Sequence, residues 1–127
     1  MNGYGYQQYK QQCINTMTQS ELLITLFDEA IKRLGMAEMA LKNNKMENFD
    51  KSVDRTSEII RYLNKTLNKS YSISAEISRM YDFFLYELAR IKAGRNIKVI
   101  NEIKPMIMDL RNTFKEADRI SHKAVKS

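Results

Sequence analysis

The chain has 127 residues, 43% hydrophobic and 28% charged, which suits one soluble domain of ordinary size. Four glycines and one proline are too few for the many tight turns of an all-β domain, so a few long helices are expected. One cysteine (Cys13) and one histidine (His122) exclude a disulfide framework and a Cys/His zinc site, and argue against a Cys-His or Ser-His catalytic pair. Twenty-one basic residues against fifteen acidic ones leave a net charge of +6.

No apolar run approaches the roughly 18 residues needed to span a bilayer. The first residues, Met1 to Tyr9, hold no apolar core of a secretory signal. A cytosolic protein without membrane insertion is expected.

Residues 1–17 differ from the rest. They carry one charged side chain (Lys10), three tyrosines and four glutamines. They are expected to form a flexible tail, or a segment that docks on a surface through Tyr4, Tyr6, Tyr9, Ile14 and Met17. Helix 1 is predicted over about 18–42. Thr18 and Glu21 have capping-box spacing. Leu22, Leu26, Ala30 and Leu34 form one row, and Leu23, Phe27 and Ile31 form the next. Gly35 inside this helix suggests a close helix crossing.

Helix 2 is predicted over about 45–68, with Asn44 as its cap and Glu47 three residues later. Phe49, Val53, Thr56, Ile60, Leu63 and Leu67 follow at alternating spacings of 4 and 3, the seam of an antiparallel bundle. Ile59 and Tyr62 widen it. The joint Lys69-Ser70-Tyr71-Ser72 offers caps for helix 3, predicted over about 71–94. Ile73, Ile77, Met80, Tyr81, Phe84, Leu88 and Ile91 form its stripe, and Gly94 suits the position after its end. Asn96 then caps helix 4, predicted over about 97–120, with Ile100, Ile103, Ile107, Leu110, Phe114 and Ala117 as its stripe. Pro105 predicts a kink or break there. Residues 121–127 are expected to fray. The whole is an all-α, antiparallel up-down four-helix bundle with an N-terminal extension.

Catalytic and metal chemistry is not in evidence. A carboxylate-bridged metal bundle needs two Glu-x-x-His motifs, and one histidine cannot supply them. No glycine-rich phosphate loop occurs. Asp28 and Glu29 point to different sides of a helix, and Asp82 reads as a surface or bridging residue. No enzymatic activity, no metal and no cofactor are expected. Nor does the charge point to nucleic acid. Residues 1–68 hold nine basic and eight acidic residues, and residues 69–127 hold twelve and seven. The excess gathers at Arg90, Lys92, Arg95 and Lys98, and at Arg119, Lys123 and Lys126. These positions lie at helix C-termini, where cations complement the macrodipole. A nucleic-acid binder more usually shows a basic stripe along one face.

The surplus of apolar positions points to a protein partner. Helix 1 has two apolar rows. Helix 3 places Met80, Tyr81, Phe83, Phe84, Leu85 and Tyr86 in one run broken only by Asp82, so some of them must face outward. Eight methionines and seven tyrosines suit adaptable contact surfaces. A thick core or a self-association seam is the competing reading.

Several stretches together resemble the FliS family of flagellin export chaperones along nearly the whole chain. They are Tyr6-Gln7-Gln8-Tyr9-Lys10-Gln11-Gln12, Thr16-Met17-Thr18-Gln19-Ser20-Glu21-Leu22 and Leu26-Phe27-Asp28-Glu29-Ala30. Ile59-Ile60 with Leu63, Ile73-Ser74-Ala75-Glu76-Ile77 leading to Met80-Tyr81-Asp82-Phe83-Phe84, and Asp109-Leu110-Arg111 ahead of Phe114 complete the match. Gln19 stands where the family often has proline, and Phe114 where it often has tryptophan. Pro105 and the basic charge lie outside the family pattern.

The resemblance implies a non-enzymatic cytosolic chaperone. It would bind the C-terminal segment of flagellin, prevent premature polymerisation and deliver the subunit to the flagellar export gate. The expected client surface comprises Leu23, Phe27 and Ile31 of helix 1, Tyr81, Phe84 and Leu85 of helix 3, and Tyr6, Tyr9, Ile14 and Met17. The N-terminal tyrosines would form a lid that the client displaces. A self-associating structural or regulatory protein is the alternative, and a small basic nucleic-acid-binding bundle a more distant one.

Overall fold

The computed structural model describes residues 17–126, with side chains from Met17 to Ser121. It contains four helices: α1 (Gln19–Lys42), α2 (Met46–Lys65), α3 (Ser74–Gly94) and α4 (Ile97–Lys126).

The helix ends follow local chemistry, not always at the expected residue. Thr18 caps α1, its Oγ1 accepting the Glu21 N–H at 3.1 Å. Asn44 was expected to open α2 but instead closes α1. It adopts the left-handed region (φ 56°), and its N–H donates to the Leu41 carbonyl at 3.2 Å. The Lys45 N–H donates to the Ala40 carbonyl at 2.8 Å, which completes a Schellman motif. A short polar side chain tolerates that conformation better than most. Consequently α2 starts from Lys45 without a side-chain cap.

The serine joint does not cap α3, whose N-cap is Ile73. Ser70 instead donates from both N–H and Oγ to Asn68 Oδ1, at 3.0 and 2.7 Å, and so folds the loop. At the other end of α3 the left-handed residue is Arg95 (φ 52°), not Gly94, which lies inside the helix. The Arg95 N–H donates to the Ile91 carbonyl at 2.7 Å. Asn96 caps α4 as expected, with Oδ1 accepting the Val99 N–H at 3.4 Å.

Helix α4 does not break at Pro105 but runs through it as one helix. The missing proline N–H strands the Asn101 carbonyl. Both residues are exposed, so water can take that acceptor. The helical backbone continues to Lys126, with no glycine or proline beyond Pro105 to stop it.

Each helix packs on two neighbours: α1 on α2 and α4, and α3 on α2 and α4. Side-chain contacts fix the antiparallel directions. Asn64 of α2 meets Ser78 and Asp82 of α3 at 2.9 and 3.2 Å, while Asp54 of α2 meets Lys92 of α3 at 2.9 Å. Asp28 of α1 meets Arg111 of α4 at 2.8 Å. The core is filled by the expected stripes: Ala30, Leu34 and Ala37 of α1, Phe49, Val53, Ile60 and Leu63 of α2, Leu88 and Ile91 of α3, and Ile100, Ile103 and Ile107 of α4. Each large member contributes about 1.5–3 kcal/mol by leaving water. Thr56 is buried in α2 without cost to hydrogen bonding, because Oγ1 donates to the Ser52 carbonyl at 2.8 Å. Gly35 does not mark a tight crossing. A Cβ there would meet only the end of the Lys104 side chain, at 3.5 Å.

Candidate functional site

The expected client surface divides once burial is known. Phe27, Tyr81 and Phe84 are 0% exposed and therefore belong to the core of this bundle, not to its surface. They occupy the positions where α1 and α3 point inward. The Phe27 ring centroid lies 5.6 Å from Phe114 and 6.4 Å from Tyr81, so one aromatic cluster ties together α1, α3 and α4. Leu23, Ile31 and Leu85 are half-buried and pack against the core. Met17 is half-buried ahead of α1, with Sδ accepting from Thr25 Oγ1 at 3.7 Å. Tyr6, Tyr9 and Ile14 lie outside the described residues.

The outward aromatics of α3 are Phe83 and Tyr86, 42% and 63% exposed. Residue selection from sequence passed over both. The signal was present, because Ile77, Tyr81, Phe84, Leu88 and Ile91 already fill the inward positions of α3. Residues 83 and 86 fall between them.

Ser78 and Lys92 reach α2, so the opposite edge of α3 faces α4. That edge carries Met80, Phe83, Glu87 and Arg90 at helical spacing. On α4, Arg111 reaches α1, and the edge facing α3 carries Val99, Met106 and Leu110. Half-buried Met80 and exposed Phe83 therefore lie on the edge of α3 that faces α4, and exposed Met106 lies on the edge of α4 that faces α3.

A charge chain stiffens the edge of α3. Glu87 is buried, and both of its carboxylate oxygens accept from Arg90 Nη1 at 3.0 Å. The Arg90 guanidinium also lies 6.0 Å from the Tyr86 ring centroid, at the outer reach of a cation–π contact. Tyr86 is thus tethered at the surface. In the core of the bundle, the Tyr81 hydroxyl is buried without a hydrogen-bond partner among the described residues. Burial pushes its pKa well above the ordinary tyrosine value, so it stays protonated.

These edges offer apolar contact and little reactive chemistry. Among the described residues, no group of three or more His, Cys, Asp or Glu is placed to hold a metal ion. Among the same residues, no helix is long and apolar enough to cross a membrane. Asp82 acts as the polar bridge expected of it, accepting from Asn64 Nδ2 at 3.2 Å.

The fold defines a class: a small all-α four-helix bundle. Comparison with known proteins narrows it. Residues 2–121 match the family described as flagellar protein FliS. The chain is also 30% identical over 112 residues to the flagellar secretion chaperone FliS of Bacillus subtilis (strain 168), covering 88% of this chain and 84% of that protein. The chain belongs to the FliS family.

Proposed function

We propose that this chain is a cytosolic flagellin export chaperone and not an enzyme. It binds the C-terminal segment of flagellin, prevents premature polymerisation and delivers the loaded subunit to the flagellar export gate. Membership of the FliS family carries this reading, together with the name of its Bacillus subtilis relative.

Physical chemistry supports it. A segment that folds as it binds incurs an ordering cost and must recover it over a large apolar surface. Exposed Phe83, Tyr86 and Met106 on α3 and α4 would supply part of that surface, and half-buried Leu23, Ile31, Leu85 and Met17 would supply further apolar contacts on other faces. Phe27, Tyr81 and Phe84 support it from the core. Tyr6, Tyr9 and Ile14 act as a lid displaced by the client.

Co-expression with the flagellin of the same genome tests the reading. A one-to-one complex that co-purifies, formed from a chaperone that sediments alone as a monomer, is expected. Failure to co-purify would overturn the reading. A chaperone dimer that persists in the presence of flagellin would favour a self-associating structural role instead.

A further inference from the structure

Lys32, Lys104 and Pro105 lie on α1 and α4, which pack on each other, and among the described residues the two lysines, like several other basic side chains, make no ion pair. Along α1, Asp28, Lys32, Gly35 and Met39 recur at spacings of 4, 3 and 4, and so share one face. Along α4, Asn101, Lys104, Met108 and Arg111 recur at 3, 4 and 3. The two rows meet. Arg111 donates from Nε and Nη2 to the two carboxylate oxygens of Asp28, at 2.8 and 3.3 Å. Lys104 Nζ lies 3.5 Å from where a Cβ on Gly35 would stand. With no side chain at Gly35, the α1 wall is low at that point, and half-buried Lys104 lies beside it.

Met39 and Met108 are 62% and 43% exposed on this flank. Lys32 and Lys104 have no carboxylate within ion-pair distance among the described residues, and Asp28 is already engaged by Arg111. Pro105, next to Lys104, leaves the exposed Asn101 carbonyl without its intrahelical donor. Among the described residues, the flank therefore offers adaptable thioethers, ammonium groups without an ion pair and a main-chain acceptor without its helical donor. The edge of α4 that faces α3 is of mixed charge, with exposed Lys98, Glu102 and Asp109.

We propose that the α1–α4 flank is a docking site for an acidic amphipathic helix of a partner protein, whose apolar row covers Met39 and Met108 while its carboxylates pair with Lys32 and Lys104. Charge complementarity selects the sign of the partner. The half-buried position of Lys104 between two helices selects its shape, since a single helix reaches into a trough that a flat anionic surface spans. This inference does not rest on the flagellin reading.

The test uses the full chain and two synthetic 18-residue helical peptides. One has leucines on one face flanked by glutamates, and its twin has lysine at every glutamate. Fluorescence anisotropy should show the acidic peptide binding at least about tenfold more tightly than its twin. The pairs Lys32→Glu with Lys104→Glu, and Met39→Ser with Met108→Ser, should each weaken it by about tenfold. Backbone amide shifts should fall on α1 and α4, and unfolding midpoints of the variants should stay near that of the parent. Equal binding of the twins, variants without effect, or shifts confined to α3 would overturn the proposal. So would binding to phosphatidylglycerol vesicles that is lost in the same variants while the acidic peptide fails to bind. Flagellin affinity measured in these variants should be unchanged, which keeps the two readings separate.

Discussion

Replacing Tyr81 by phenylalanine probes the aromatic cluster of the core. The ring sits fully buried against Phe27, and its hydroxyl has no hydrogen-bond partner among the described residues. In the unfolded chain that hydroxyl bonds to water. Folding removes those bonds and returns none, at a cost of about 1–3 kcal/mol. Tyr81→Phe keeps the ring and its contacts, so the variant should gain about 1–2 kcal/mol. For a chain of this size that raises Tm by roughly 3–10 °C. Urea unfolding followed by circular dichroism measures it, with an unchanged slope showing that the folded and unfolded states are otherwise alike.

The same substitution has a pH signature. Burial raises the Tyr81 pKa above the ordinary value of about 10. A raised folded-state pKa means that the protonated form is favoured in the fold. Its linkage contribution is complete below pH 10 and is lost as pH rises, because the unfolded chain ionises while the folded one does not. Above pH 10 the parent should therefore lose up to about 1.4 kcal/mol per pH unit relative to Tyr81→Phe. A variant less stable than the parent at pH 7 would show that the hydroxyl makes a hydrogen bond in solution, and no divergence at alkaline pH would show that it is not buried there.

Gly35→Ala should stabilise the bundle by about 0.5–1 kcal/mol, because alanine favours the helix and its Cβ meets only the mobile end of Lys104; a loss in thermal unfolding would mean that the helices approach more closely there. Arg95→Gly should gain up to about 1 kcal/mol by releasing a left-handed position that costs an ordinary side chain, and a chemical denaturation midpoint reads it. Phe83→Ser with Tyr86→Ser should leave stability within roughly 1 kcal/mol of the parent, since both residues are exposed. The same pair should weaken flagellin binding at least about tenfold by calorimetry, through lost apolar contact.

The helical layout was legible because period-3.6 stripes report burial directly. Thr18 and Asn96 were legible as caps because a side-chain oxygen three residues before a free amide is a local geometry. Asn44 and Gly94 were misplaced for the opposite reason. Several residues at each junction tolerate the left-handed turn, and the backbone hydrogen bonds of the whole loop decide which one adopts it. That is how Arg95, with no intrinsic preference, takes the position beside an available glycine. The outward surface was half legible. The run from Met80 to Tyr86 required some residues to face outward. Assigning Phe27, Tyr81 and Phe84 to that surface went wrong because inward and outward rows are separated only by how the helices turn against each other. Subtracting the inward row of α3 isolates Phe83 and Tyr86. The burial of Glu87 had no sequence signal, since it depends on Arg90 folding over the same turn to neutralise it.

The central claim is that this bundle binds a segment of flagellin and folds it. Titration of the full chain with a synthetic flagellin C-terminal segment, by calorimetry and far-ultraviolet circular dichroism in parallel, tests it most directly. A one-to-one isotherm with a negative heat-capacity change, and more helix in the mixture than in the separate components, is the predicted result. No binding heat and no gain of helix would contradict it.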